Sequence, residues 1–303
     1  MSEAVLLVSH GTVDSLDDLA AFITNVRRGR TPPPDLVSEL RRRYEVIGGR
    51  SPLNEISAQI ARKLEKLLRL RVAWANRLWK PTVRDVILSL ARDGVDRLAM
   101  VPLAPYSAPI YAEDARRAAE GTGVALACAP SWGQSTTLCA AFASRIARTL
   151  AASPDEARTT LVMSAHSLPR SVVDAGDPYE REVGEAAEAI AAIVKAGLRR
   201  DVHWTLAFQS QGMTAADGHP VEWLGPDLRA TLDDVKARGD RHVVVAPVGF
   251  LADHVETLYD LDVEARDIAR ERGLSFARTP ALNADDDLVE AIAAVARPLV
   301  GHE

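Results

Sequence analysis

The sequence predicts an α/β protein built as two Rossmann-like domains, each with a four-stranded parallel sheet flanked by helices. Short apolar, β-branched runs recur along the chain, and each is followed by a loop and a segment with helical periodicity. The runs are continuous rather than alternating, as in Val243-Val244-Val245-Ala246, which suits strands covered on both faces. They also divide evenly, four to each half of the chain.

In the first half the strand runs are Ala4–Val8, Leu70–Ala75, Arg97–Leu103 and Val124–Ala129. In the second they are Thr160–Ser164, His203–Phe208, His242–Val248 and the weaker Leu274–Ala277. Between them, Ile56, Ile60, Leu64 and Leu67 keep one helix face, and Leu258, Leu261, Ala265 and Ile268 keep another. The cluster Thr31-Pro32-Pro33-Pro34 reads as a stiff turn before a helix starting at Asp35. The division falls near Pro130–Ser135, which places the domains at 1–132 and 133–303, with the C-terminal helix free to pack back on the first. No sequence repeat accompanies the duplication, so it is architectural.

Composition narrows the function classes. A chain of 303 residues with 47% apolar and 26% charged residues is neither disordered nor fibrous. A net charge of −6 argues against a nucleic-acid partner, which needs a concentrated basic surface. The two cysteines, Cys128 and Cys139, make no disulfide framework and cannot supply the thiolates of an ordinary iron–sulfur cluster. The opening MSEAVLLVSHGT lacks the features of a signal peptide, and no run approaches a membrane span, so a cytoplasmic location is expected. Neither GxGxxG nor GxxxxGK[ST] follows any strand, which disfavours a dinucleotide or nucleoside triphosphate site.

In open α/β sheets ligands bind beyond the carboxyl ends of the strands. That rule selects Ser9-His10-Gly11-Thr12, Ala104-Pro105-Tyr106-Ser107, Ala165-His166-Ser167-Leu168-Pro169, Gln209-Ser210-Gln211-Gly212, and Gly249-Phe250 onward to Glu256. His166 and His10 sit at this edge, one in each half; either can accept a proton or bind a borderline metal, and either can simply cap a turn. Glu256, Asp260, Glu264 and Asp267 recur at helical spacing, which fits a solvated face or a line of carboxylates passing cations or protons. Arg27, Arg28 and Arg30 fit a solvated helix end or a clamp for an anionic substrate. Tyr106, Trp223 and Phe250 are either core residues or the walls a flat aromatic ligand requires.

Several segments together resemble ferrochelatases. They are Ile23-Thr-Asn-Val-Arg-Arg-Gly-Arg-Thr-Pro through Arg43-Tyr-Glu-Val-Ile-Gly-Gly-Arg-Ser-Pro-Leu53, Ser164-Ala-His-Ser-Leu-Pro169, Gln209-Ser210, Trp223-Leu-Gly-Pro226 and Pro247-Val-Gly-Phe-Leu-Ala-Asp-His-Val-Glu256. The matches run in order over nearly the whole chain, and the Arg-Arg-Gly-Arg segment is most similar to compact bacterial enzymes that use coproporphyrin III. The resemblance implies a chelatase-like fold with a porphyrin cleft between the domains. It implies insertion of Fe²⁺ into a porphyrin in haem biosynthesis, coproporphyrin III ahead of protoporphyrin IX, with release of protons and no required cofactor. It assigns His166 and Glu256 as the catalytic pair, and these two with Asp260 and Glu264 as the residues that handle the metal. Arg27, Arg28 and Ser51 match positions that meet porphyrin propionates or the cleft lip; His10, Tyr106, Trp223 and Phe250 complete the expected porphyrin contacts. The partners implied are the porphyrin and Fe²⁺, with transient contact to a membrane or another haem-pathway enzyme.

One departure keeps alternatives open. Compact bacterial relatives often carry Tyr-Gly-Thr-Pro where this chain has His10-Gly11-Thr12-Val13. That His-Gly-Thr element also resembles sirohydrochlorin and cobalt chelatases, and a strong axial ligand at His10 would suit a haem-binding protein without turnover.

Overall fold

The computed structural model describes residues 2–153, 158–198, 202–211, 215–216 and 219–301. Gly212, at the end of one strand-edge motif, lies outside the described residues. The chain divides into two compact units, Met1–Trp132 with Asn283–Glu303, and Gly133–Leu282.

In the first unit the strands are β1 (Glu3–Ser9), β2 (Arg71–Asn76), β3 (Arg97–Pro102) and β4 (Ala125–Cys128), in the spatial order β2-β1-β3-β4 and all parallel. The central strand β1 is buried on both sides: Ala4 to Leu7 have no exposed surface. This is why its pattern is a continuous apolar run. Alternate side chains serve opposite faces. Ala4, Leu6 and Val8 share a core with Ile87 and Leu90 of α4 (Val83–Arg92) and Tyr111 of α5 (Ala108–Ala119). The other face is covered by α3 (Leu53–Leu68) and α11 (Asp286–Ala296). Ile56, Ile60 and Leu64 are buried as expected, but Leu67 is 36% exposed, because the buried face of α3 ends one turn before the helix does. Two more helices, α1 (Leu19–Val26) and α2 (Pro34–Val46), pack on each other. Pro34 opens α2, where its fixed φ and missing N–H carry no penalty.

The second unit repeats the plan with β5 (Thr159–His166), β6 (His203–Gln209), β9 (His242–Ala246) and β10 (Ser275–Arg278), ordered β10-β9-β5-β6 and again parallel. Between β6 and β9 lies a short antiparallel pair, β7 (Ala215–Ala216) and β8 (His219–Pro220). Helices α6 (Thr136–Ala151) and α8 (Tyr179–Leu198) pack together, the short α7 (Arg170–Asp174) follows β5, and α9 (Leu228–Ala237) lies on β6. Val162, Val243 and Val245 share a core with Leu232, Leu261 and Ile268.

Two expectations change. The second domain, expected to run to residue 303 with its C-terminal helix free to pack back on the first, ends at Leu282: the helix, α11, does pack back, its apolar face (Leu288, Val289, Ile292) buried within the first unit against α3 and β3. The acidic segment is not an α-helix at its start: Glu256–Ala265 is a π-helix, continued as α10 (Arg266–Glu271). The wider i→i+5 turn redistributes the acidic side chains, so that Asp260 is buried and Glu264 is exposed.

Candidate active site

The second unit brings a histidine and a carboxylate together at the carboxyl edge of its sheet. His166 is the last residue of β5 and pairs in register with Gln209, the last residue of β6. The Ser167 amide then donates to the Gln209 carbonyl at 2.7 Å, holding both strand ends. Glu256 opens the π-helix, and its Oε2 lies 3.1 Å from His166 Nδ1. Their side chains are 37% and 34% exposed, so the pair is reachable by a ligand while being partly withdrawn from water. The backbone is close-fitting here: a Cβ on Gly249 would stand 2.6 Å from Ala165 Cα, so only glycine allows the loop after β9 to lie against the end of β5.

Electrostatics separate the titrating groups. Burial alone would lower the His166 imidazole, but the charge and hydrogen bond of Glu256, with the charge of Asp260, outweigh it and raise its pKa above 6.5. His254 is affected in the opposite direction. Its Nε2 is 3.8 Å from Glu256 Oε2, yet burial prevails over the charges of Glu256 and Asp253, helped by His166, and its pKa falls. Tyr179 donates its hydroxyl to the His166 carbonyl at 3.0 Å; burial, then the Glu256 charge, raise the phenol, so it stays protonated. An imidazole shifted up beside one shifted down gives the site two groups with separated proton affinities.

Side chains at the end of β6 hold the π-helix in place. Gln209 Nε2 donates to the Glu256 carbonyl at 3.2 Å, and Ser210, at a left-handed φ of 60°, donates its hydroxyl to Asp260 Oδ2. Asp260 is 5% exposed and Glu264 exposed, so the expected metal-handling set of His166, Glu256, Asp260 and Glu264 is not one open line of carboxylates. Among the described residues no group of three or more His, Cys, Asp or Glu is arranged to hold a metal ion. Phe250 packs its ring 5.0 Å from that of His254. Trp223 is half-buried and pairs with Pro169, while Ser167 Oγ donates to the Leu224 carbonyl, so the Trp223 loop is joined to the loop after His166.

His254, Gln209, Ser210 and Tyr179 were not among the residues singled out by chemistry. The first three lie inside strand-edge motifs read from the sequence, which was the available signal; Tyr179 carries none.

In the first unit, His10 lies just beyond β1 and is exposed, with its carbonyl accepting from the Leu78 amide. Gly11 has φ +101° and no room for a Cβ, which would meet Asn76 Cβ at 2.9 Å. Behind it, Thr12 Oγ1 meets Tyr44 Oη at 2.8 Å, Asn54 donates to the Thr12 carbonyl and to Asp14, and Asn76 donates to Asn54 Oδ1 and the Lys80 carbonyl. The His10 loop is therefore held by a polar network rather than by apolar packing. Arg27 is half-buried at the end of α1, and Arg28 and Arg30 are exposed. Ser51 is buried, and its Oγ accepts the Leu53 amide at 3.4 Å at the start of α3. Tyr106 is only 3% exposed and so presents no open wall.

The model of the ferrochelatase family matches residues 2–299. The chain belongs to the ferrochelatase family. The ferrochelatase of Herpetosiphon aurantiacus is 34% identical over 96% of this chain and 97% of its own length. The ferrochelatase of Acidobacterium capsulatum is 36% identical over 97% of this chain and 93% of its own. The coproporphyrin III ferrochelatase of Bacillus subtilis is 32% identical over 98% of both. Among solved structures, SirB from Bacillus subtilis with Fe³⁺ superposes with a TM-score of 0.61 at 14% identity, covering 99% of this chain and 96% of that one. CbiX, the terminal enzyme of sirohaem biosynthesis in denitrifying bacteria, gives 0.53 at 17% identity, covering 98% and 99%. At those identities the likeness is one of fold. As a ferrochelatase-family protein the chain is a lyase of haem biosynthesis that inserts metal into a porphyrin. None of its described helices is long and apolar enough to cross a membrane.

Proposed function

We propose that this chain inserts Fe²⁺ into coproporphyrin III in preference to protoporphyrin IX, releasing the pyrrole protons, and that it needs no resident cofactor. The observation that carries the reading is the His166–Glu256 pair, 3.1 Å apart at the sheet's carboxyl edge. Metal insertion requires the pyrrole N–H protons to leave as the nitrogen lone pairs turn to the metal, so the site needs bases within reach of the ring. His254, whose pKa burial lowers, supplies one acceptor, and the neutral form of His166 another. Glu256 Oε2 is bonded to His166 and lies 3.8 Å from His254 Nε2, so it exchanges protons directly with His166 and acts on His254 through its charge. The partly exposed oxygen and nitrogen donors of the pair also suit transient contact with Fe²⁺ as substrate.

The preference for coproporphyrin III is supported by similarity to relatives such as the coproporphyrin III ferrochelatase of Bacillus subtilis and by the basic segment. Coproporphyrin III carries more carboxylates than protoporphyrin IX, and Arg27, Arg28 and Arg30 provide guanidinium groups suited to them.

The test is anaerobic turnover of Fe²⁺ with each porphyrin, using wild type, His166→Ala and Glu256→Ala. Faster metallation of coproporphyrin III, with most activity lost in both variants, supports the reading. Equal rates with both porphyrins remove the preference. Retention of stoichiometric haem through His10 without turnover replaces the reading with a haem-binding role.

A further inference from the structure

We propose that Arg278 is the positioning residue that sets Glu256 against His166, an inference that rests on the catalytic reading of that pair. Arg278 is the last residue of β10, held by pairing with Val245 of β9. Its guanidinium reaches two acidic residues from different segments: Nη1 donates to Asp253 Oδ1 at 2.9 Å and Nε to Asp262 Oδ1 at 2.7 Å. Asp253 lies in the loop that leads to His254 and Glu256, and Asp262 lies in the π-helix that Glu256 opens. One cation therefore joins the sheet to both ends of the segment bearing the carboxylate.

The contacts are sheltered. The side chains of Arg278, Asp253 and Asp262 are 12%, 14% and 23% exposed, so the arrangement is not a solvated surface pair. Asp253 passes the constraint on: Thr257, fully buried, donates its hydroxyl to Asp253 Oδ1 at 3.3 Å and lies 2.9 Å from the His254 amide, which donates to it. The planar fork of arginine can serve two carboxylates from separate nitrogens, which the single ammonium of lysine reproduces poorly. A π-turn is rare and needs outside support, and Arg278 provides it from the side opposite Ser210 in sequence.

The test compares Arg278→Gln, Arg278→Lys and the charge-free triple variant Arg278→Gln/Asp253→Asn/Asp262→Asn in the full chain. Steady-state kinetics are measured at a temperature where circular dichroism shows each variant folded, alongside amide hydrogen exchange. The expected result for Arg278→Gln is a fall in kcat of about tenfold or more with the porphyrin KM within about twofold, since small misplacements of reacting groups cost up to about a hundredfold. Exchange should quicken over residues 254–265 but not in β5, Arg278→Lys should fall between, and the triple variant should regain Tm without regaining kcat. An unchanged kcat in folded Arg278→Gln overturns the proposal, as does recovery of kcat together with Tm in the triple variant. If wild type metallates no porphyrin, the catalytic reading fails instead, while the exchange comparison still tests the clamp.

Discussion

His254 Nε2 lies 3.8 Å from Oε2 of Glu256, the same carboxylate oxygen that meets His166 Nδ1 at 3.1 Å. The two imidazoles are shifted apart, up at His166 and down at His254: at His166 burial is outweighed by the charge and hydrogen bond of Glu256 with the charge of Asp260, whereas at His254 burial prevails. The consequences are measurable.

If neutral His166 accepts a pyrrole proton, kcat/KM rises with pH through an inflection above the ordinary histidine value of about 6.5. Glu256→Gln removes the charge that raises it, so in the residual activity the inflection moves to lower pH. A pH–rate profile of both proteins checks this, and an inflection that stays or moves upward contradicts the assignment.

The same shift has a sign in stability. A pKa raised on folding gives a contribution that is complete below the unfolded value, near 6.5, and is lost as pH climbs through the folded one. The Tm gap between wild type and Glu256→Gln should therefore be widest below about pH 6.5 and narrow as the pH rises above it. Thermal melts across that range test it.

Replacing the central bases should cost unequal amounts. His166→Ala should lower kcat by ~10²–10⁴-fold, the usual range for a lost acid–base group, and His254→Ala by about tenfold, because Glu256 remains beside His166 to accept in its place. Anaerobic turnover of both variants, with circular dichroism to confirm folding, gives the ratio.

Gly249→Ala inserts a methyl 2.6 Å from Ala165 Cα and 2.7 Å from Ala165 Cβ, next to His166 and with backbone as the obstacle. The expected cost is about 1–3 kcal/mol, as for overpacked interiors, read as a lower Tm accompanied by reduced kcat.

In the first unit, Asn76→Ala leaves Asn54 Oδ1 and the Lys80 carbonyl without the donor they now share. An unsatisfied buried acceptor such as Asn54 Oδ1 costs on the order of 1–3 kcal/mol, so the melt should shift down clearly while the His166–Glu256 chemistry, carried by the other unit, is altered less.

The strands were legible because burial on both faces leaves continuous apolar runs, and each expected run corresponds to a strand within a few residues. His166 and Glu256 were legible as candidates because strand ends in such sheets face ligands, whereas their pairing came from the family resemblance. The π-turn was not: Leu258, Leu261, Ala265 and Ile268 fit an α-helix, but Leu258 is only half-buried and Asp260, on the supposed polar side, is buried. A spacing of three and four residues does not reveal the width of the turn, which is held by Ser210 and Arg278 from distant strands. The apolar face of α11 left open whether it would stay with the second sheet or pack back on the first, because amphipathicity shows that a face is buried and not against what.

The placement of α11 bears on how the protein is made. Residues 133–282 form an uninterrupted unit and leave the ribosome with every piece of that unit in hand. The earlier-synthesised sheet instead waits, with the face that will receive Leu288, Val289 and Ile292 uncovered, until the chain beyond Asn283 emerges. The half translated first is thus the half finished last, and its bare apolar surface during that interval is where a chaperone would be needed.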